Sequence, residues 1–199
     1  MVAGVILAGG GSKRFGSDKR YYRLNGKTLI EACCDKINEV CENNYIVADQ
    51  DFSDERSYAH GFTVLRDLED GKGPLMGVYT ALSHIVEEGC LVIPVDMPGL
   101  SVSLLKYIKS QAPLFDLAIP SGDELFPLPG YYSKELLPLI VSSFEGDDFS
   151  LKALVGRAEE SVELKVLRIS FEKIKEFGAP QQVLFNINME NDVEKFQGS

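Results

Sequence analysis

A chain of 199 residues, 45% hydrophobic and 25% charged, can bury a sizeable core and reads as one soluble globular domain, residues 1–199. Its 30 acidic and 20 basic side chains leave a net charge of −10, which argues against non-specific binding to a nucleic acid polymer, a task for a basic surface. No apolar run nears the roughly 20 residues of a membrane span, and the start lacks the charged and long apolar regions of a secretory signal, so a cytoplasmic location without membrane contact is expected.

Val2 to Ala8 is a short apolar run that predicts a buried strand. It empties into Gly9-Gly10-Gly11-Ser12-Lys13-Arg14-Phe15-Gly16-Ser17-Asp18-Lys19, rich in glycines that bring backbone N–H groups close to a ligand and in cations that suit a polyanion. An ordinary glycine-rich turn would use the same glycines. The P-loop is absent: Gly11 and Gly16 have its spacing, but Ser17 and Asp18 follow where Lys and Ser/Thr belong, and Gly26-Lys27-Thr28 has Tyr21 in place of the first glycine. The dinucleotide fingerprint fails as well, because Arg14 stands where its last glycine should be. Lys13, Arg14, Lys19, Arg20 and Arg23 form a local basic patch on an acidic protein, a contrast that focuses a small anion into one cleft.

Thr28 to Cys41 has helical spacing, with Thr28 as N-cap and Glu31 completing a capping box. Its cysteines, with Cys90, show no zinc or Cys-x-x-Cys spacing and read as small hydrophobes. Tyr45–Ala48 predicts a strand ending in Asp49, Ser53–Ala59 a weak helix, and Phe62–Leu65 a strand ending in Arg66-Asp67. Gly73-Pro74-Leu75-Met76-Gly77 opens a helix running to about Glu87, with Pro74 suited to the first turn. Gly73 and Gly77 suit close approach of a ligand or another backbone; a plain helix entry would need them too. Cys90–Val95 reads as a central strand, and Asp96 at its carboxyl end stands where open α/β sheets bind ligands, although a turn cap reads the same way.

Ser101–Gln111 predicts a helix, Asp116–Pro120 a strand, and residues 121–128 a loop. Pro129–Ser133 starts a strand leading into a helix over Glu135–Phe144, and Ser150–Ala158 is a short helix capped by Ser150. Glu163–Ile169 alternates as a half-exposed strand, antiparallel or at an edge, and Val183–Asn188 as a last strand before a helix from about Glu190. Asp147-Asp148 and Glu159-Glu160 read as solvated charge, and His60 and His84 as surface or packing residues. Strands alternating with helices imply a parallel sheet covered on both faces, an α/β fold.

Leu7 to Lys19 resembles the signature of the MobA-like nucleotidyltransferases, and three further segments match in order: Gly73–Gly77, Pro94-Val95-Asp96-Met97-Pro98 and Phe185-Asn186-Ile187-Asn188. Within that family the chain is most similar to the molybdenum cofactor guanylyltransferases. The resemblance implies a three-layer, Rossmann-like α/β/α fold of the nucleotide-diphospho-sugar transferase type and transfer of GMP from GTP to molybdopterin. It implies that Leu7, Ala8, Gly9, Gly10, Gly11 and Ser12 contact the nucleotide, with Asp67 and Gly73, while Arg14 and Lys19 supply charge. It also implies Mg²⁺ on Asp96, a pterin-facing role for Asn186 and Asn188, and transient contact with cofactor-delivering or acceptor proteins. Three positions depart from the family: Met189 replaces a usual Thr, Thr28 a common Pro, and Ala48-Asp49-Gln50 lies where an Asn often contacts the nucleotide.

A phosphate acceptor is already anionic near pH 7, since its second pKa is about 6, so attack on the α-phosphorus needs no histidine base. In-line positioning and charge compensation are what Lys19, Arg14 and a metal on Asp96 would supply. Cytidylyl transfer, sugar-phosphate nucleotidylation and a GTP-binding adaptor without turnover are the competing readings. Asp18-Lys19, in place of the Pro-Lys of sugar enzymes, and the Asn186-Ile187-Asn188 segment favour guanylyl transfer.

Overall fold

Strand β1 (Ala3–Leu7) is buried along its whole length, because its alternate residues face two separate cores. The computed structural model describes residues 1–9, 18–48, 52, 61–69 and 72–197. The expected helix over residues 53–59, and His60, lie outside them. After a 3₁₀ turn at Lys19–Tyr21, strands β2 (Arg23–Leu24) and β3 (Lys27–Thr28) form a two-stranded ribbon that the pattern of apolar residues did not disclose. Its turn uses Asn25 and Gly26 at φ 52° and 84°, the left-handed pair that a tight hairpin demands. Helix α1 (Leu29–Asn38) carries the expected Thr28–Glu31 capping box, and Cys41 falls beyond its end.

Strands β4 (Asn44–Ala48) and β5 (Phe62–Arg66), helix α2 (Pro74–His84), strand β6 (Gly89–Pro94) and helix α3 (Val102–Ser110) follow. Then come β7 (Leu117–Ser121), β8 (Gly130–Ser133), helices α4 (Leu137–Glu145) and α5 (Leu151–Glu160), and β9 (Val166–Ser170). The chain closes with α6 (Phe171–Ile174), α7 (Pro180–Val183) and α8 (Glu190–Gln197). The main sheet has the order β5-β4-β1-β6-β8-β7-β9. All its strands run one way except β8, which pairs antiparallel with both neighbours. Helices α1, α3, α6 and α7 bury one face and α2, α4 and α5 the other, as a three-layer α/β fold requires.

β9 stands at the sheet edge, one of the two placements its alternation allowed, and lies parallel to β7 because the chain crosses over through α4 and α5. Two sequence expectations change. Residues 183–188 form no sheet strand: Pro180 starts a short helix, and the segment beyond it runs to the end of β6. Asp148 and Glu159 are ion-paired with Arg157 (3.1 Å) and Arg168 (2.5 Å) rather than simply solvated. Among the described residues no helix is long and apolar enough to cross a membrane.

Candidate active site

From β1 the chain builds outward to β4 and β5, then returns to lay β6 on the other side of β1. Strand order therefore reverses between β1 and β6, and the crevice at their carboxyl ends is where such sheets bind ligands. Leu7 pairs with Pro94 across this crevice, and Val95 N–H donates to Leu7 O (3.2 Å). A cleft of about 610 Å³ opens there.

Leu7, Gly9, Lys19, Asp67, Gly73, Asp96 and Asn186, seven of the residues singled out in the sequence, line this one cleft. Ala8 lies behind the wall, buried in the core cluster that contains α1. Asn188 is exposed outside it, its backbone N–H donating to Asp192 Oδ2 (3.0 Å). Gly10, Gly11, Ser12, Lys13 and Arg14 lie outside the described residues.

Lys19 and Asp96, 77 positions apart in the chain, meet at 2.6 Å between Nζ and Oδ2, each side chain 17% exposed. The Asp96 turn is held from two sides. Lys36 on α1 donates to Pro98 O (2.6 Å), and Ile187 N–H donates to Asp96 O (2.8 Å), tying the C-terminal segment to the carboxylate's own backbone. Gly99 is obligatory at this junction, since the Gln182 carbonyl would overlap any Cβ placed there.

Gly73 has φ 77°, a left-handed value that favours glycine, and caps α2 without a side chain. Gly77, one turn on, lets α2 close against β1: a Cβ there would stand 2.9 Å from Leu7 Cδ2. The two glycines serve different ends, since Gly73 lines the cleft mouth and Gly77 brings helix and strand together.

The opposite wall was missed as a site. It consists of Glu124, Leu125, Phe126, Pro127 and Leu128 from the β7–β8 loop, and of Phe149, Ser150, Leu151 and Lys152 at the start of α5. Phe149 stacks on Phe144 (5.1 Å between centroids, 22° between planes), and Phe144 meets Tyr79 of α2 edge-on (5.2 Å). Lys72 Nζ stands 4.3 Å from the Phe149 ring centre, so the α2 entry and the α5 entry touch at the rim. The only sequence signal here was the Ser150 helix cap; apolar loop residues carry no motif.

The cysteines are inert. Cys33 lies under the β6 exit, its Sγ 3.9 Å from both Pro94 O and Val95 O, and burial pushes its thiol up to about 12. Burial likewise raises Cys34 to about 12 and Cys41 to about 11, and raises Cys90 further, so none is a thiolate near neutral pH. Among the described residues no group of three or more His, Cys, Asp or Glu side chains could hold a metal unaided.

Comparison with known proteins agrees with this architecture. The family described as MobA-like NTP transferase domain matches residues 4–162. A protein of Thermococcus sibiricus named probable molybdenum cofactor guanylyltransferase is 31% identical over 98% of this chain and 97% of its own. One of Desulfosudis oleivorans, named molybdenum cofactor guanylyltransferase, is 29% identical over 100% of this chain and 95% of its own. The crystal structure of molybdopterin-guanine dinucleotide biosynthesis protein A from Archaeoglobus fulgidus superposes with a TM-score of 0.82 at 24% identity, covering 99% of this chain and 97% of that one. The chain belongs to the MobA-like NTP transferase domain family and is a nucleotidyltransferase.

Proposed function

We propose that the chain transfers GMP from GTP to molybdopterin, releasing pyrophosphate and forming the guanine dinucleotide form of the cofactor. The observation that carries this reading is the meeting of Lys19 with Asp96 at the β1/β6 crevice, inside a cleft with two chemically different walls. An oxygen of the acceptor phosphate forms the new bond to the α-phosphorus as the bond from that phosphorus to the bridging oxygen breaks, and pyrophosphate leaves with the electron pair. The acceptor is already anionic, so positioning and charge compensation are what the protein must provide.

Leu7, Gly9, Asp67 and Gly73 seat the nucleotide on one wall. Lys19 and Arg14 compensate charge on the departing pyrophosphate. On nucleotide binding the Lys19 ammonium would exchange its carboxylate partner for phosphate oxygens, and the freed Asp96 is the residue that would hold a divalent cation. Asp96 fits a divalent ion of the Mg²⁺ type, which takes one or two carboxylates and fills its remaining positions with phosphate oxygens and water. When bound, Mg²⁺ neutralises triphosphate charge and polarises phosphoryl oxygens. Asn186 lines the cleft beside the Asp96 turn and faces the acceptor there, and the apolar wall opposite suits a flat heterocycle. Relatives named guanylyltransferase over nearly the full chain support GTP as the donor.

The test is pyrophosphate release from GTP, CTP or UTP with magnesium and molybdopterin, alongside thermal-shift titrations of the three nucleotides. Release confined to GTP, with selective stabilisation by GTP, is the expected outcome. Preference for CTP would replace the donor, and GTP binding without release on adding molybdopterin would make the chain an adaptor.

A further inference from the structure

Arg20 counts, in the sequence, as one more cation of a basic patch, yet its guanidinium points inward and the residue is only 8% exposed. Among the described residues, the groups around it suit a planar fork. Nε donates to Asp18 Oδ1 (2.8 Å) and Oδ2 (2.9 Å), Nη2 donates to Asp18 Oδ2 (2.7 Å), and Nη1 donates to Ala8 O (3.0 Å). The guanidinium carbon lies 5.4 Å from the ring centre of buried Phe52 and 5.9 Å from that of Tyr21. Asp18 in turn accepts the Arg20 backbone N–H (3.0 Å), capping the 3₁₀ turn that begins at Lys19.

One guanidinium thus ties Ala8, the residue that follows β1, to Asp18, which caps the turn bearing Lys19. Lys19 sits between the two bonded residues Asp18 and Arg20, its own side chain directed to Asp96. We propose that Arg20 is a positioning residue: it staples the end of β1 to the Lys19 turn and thereby sets where the Lys19 ammonium stands relative to Asp96. This rests on the reading of Lys19 given above. Arginine is needed because a lysine carries charge but no fork, and cannot hold two carboxylate oxygens and a carbonyl in one plane.

A group held through its backbone at the wrong place weakens the transition state more than the ground state, and a misplacement of about 1 Å costs about a hundredfold in rate. The experiment is a mutant cycle of Arg20→Lys and Lys19→Ala on the full chain, with thermal unfolding of each variant. Expected for Arg20→Lys is a fall in kcat of about tenfold or more, with KM for GTP held within about threefold. Added to Lys19→Ala, Arg20→Lys should cost less than about a further twofold, because it acts through the missing ammonium. Asp18→Asn, which breaks the same fork from the other side, should reproduce the pattern, and serves in place of Arg20→Lys if that variant does not fold.

An unchanged kcat in a folded Arg20→Lys, or an equal loss in the Lys19→Ala background, would overturn the proposal. Amide exchange at Lys19–Tyr22, measured without substrate, should accelerate about tenfold in Arg20→Lys while α1 keeps its protection. Unchanged exchange there also overturns it. If the native chain releases no pyrophosphate from GTP and molybdopterin, the proposed function fails, and the exchange measurement still decides the staple.

Discussion

The two walls of the cleft are built on opposite principles. On the β1–β6 side the polar and backbone groups are Gly9, Asp67 and Asp96 just beyond strand ends, Lys19 at the start of the 3₁₀ turn and Gly73 at the entry of α2. On the side of the β7–β8 loop and α5, the lining is Leu125, Phe126, Pro127, Leu128, Phe149 and Leu151, with Glu124 and Lys152 among them. A triphosphate needs placed charge, whereas a flat heterocycle needs apolar surface and shape. Chemistry should therefore be concentrated on the first wall and acceptor affinity on the second, and substitutions on the two should change different kinetic constants.

The largest effects belong to the polar wall. Lys19→Ala and Asp96→Ala should each lower kcat by about 10²–10³, the usual cost of removing one electrostatic group at a reacting phosphate. Steady-state pyrophosphate release checks this, and near-normal turnover in a folded variant would remove that residue from the mechanism. A smaller and different effect is expected across the cleft. Phe149→Ala should raise KM for molybdopterin about threefold to tenfold, the scale of one aromatic contact, and leave KM for GTP within about twofold. Equal changes in both constants would erase the division between the walls.

The smallest effect concerns the C-terminal segment that leads away from the cleft. Backbone N–H groups of Asn188 and Met189, and then Lys195, hold the Asp192 carboxyl below its ordinary range. Because the folded value is depressed, the stabilisation is fully present above the unfolded value of about 3.9 and is lost as pH falls through the folded value. α8 should therefore loosen below about pH 4 ahead of the core, visible as selective loss of amide protection over residues 188–197. Asp192→Asn should remove that step.

The polar wall was legible because its chemistry uses few residue types, at strand ends that apolar runs make visible. β1, β4 and β6 announce themselves as continuous apolar runs, and the motifs that follow β1 and β6 carry Lys19 and Asp96. The apolar wall could not be found this way, since Leu125 or Phe149 in a loop is indistinguishable from core until the sheet order is known. Arg20 failed for the same reason: nothing local says that its side chain turns inward to Asp18 and Ala8 while that of Lys19 reaches Asp96. The Met189 position shows a compensation that spacing alone concealed. A methionine before α8 has no oxygen to cap it, and Asp192 at the third helical position instead accepts two backbone N–H groups at the turn into the helix.

Strand β8, alone in running against its neighbours, has a consequence for how this scaffold changes over time. Because it reverses, the connection from β7 is a hairpin tip rather than a crossover helix, and that tip falls on the ligand end of the sheet. A hairpin tip can be lengthened, shortened or exchanged without re-registering a parallel sheet. Lys19 and Asp96 stand instead on the connections that follow β1 and β6, away from that tip. One scaffold can thus hold its phosphate chemistry constant while the tip from Gly122 to Pro129 is free to diversify toward new acceptors.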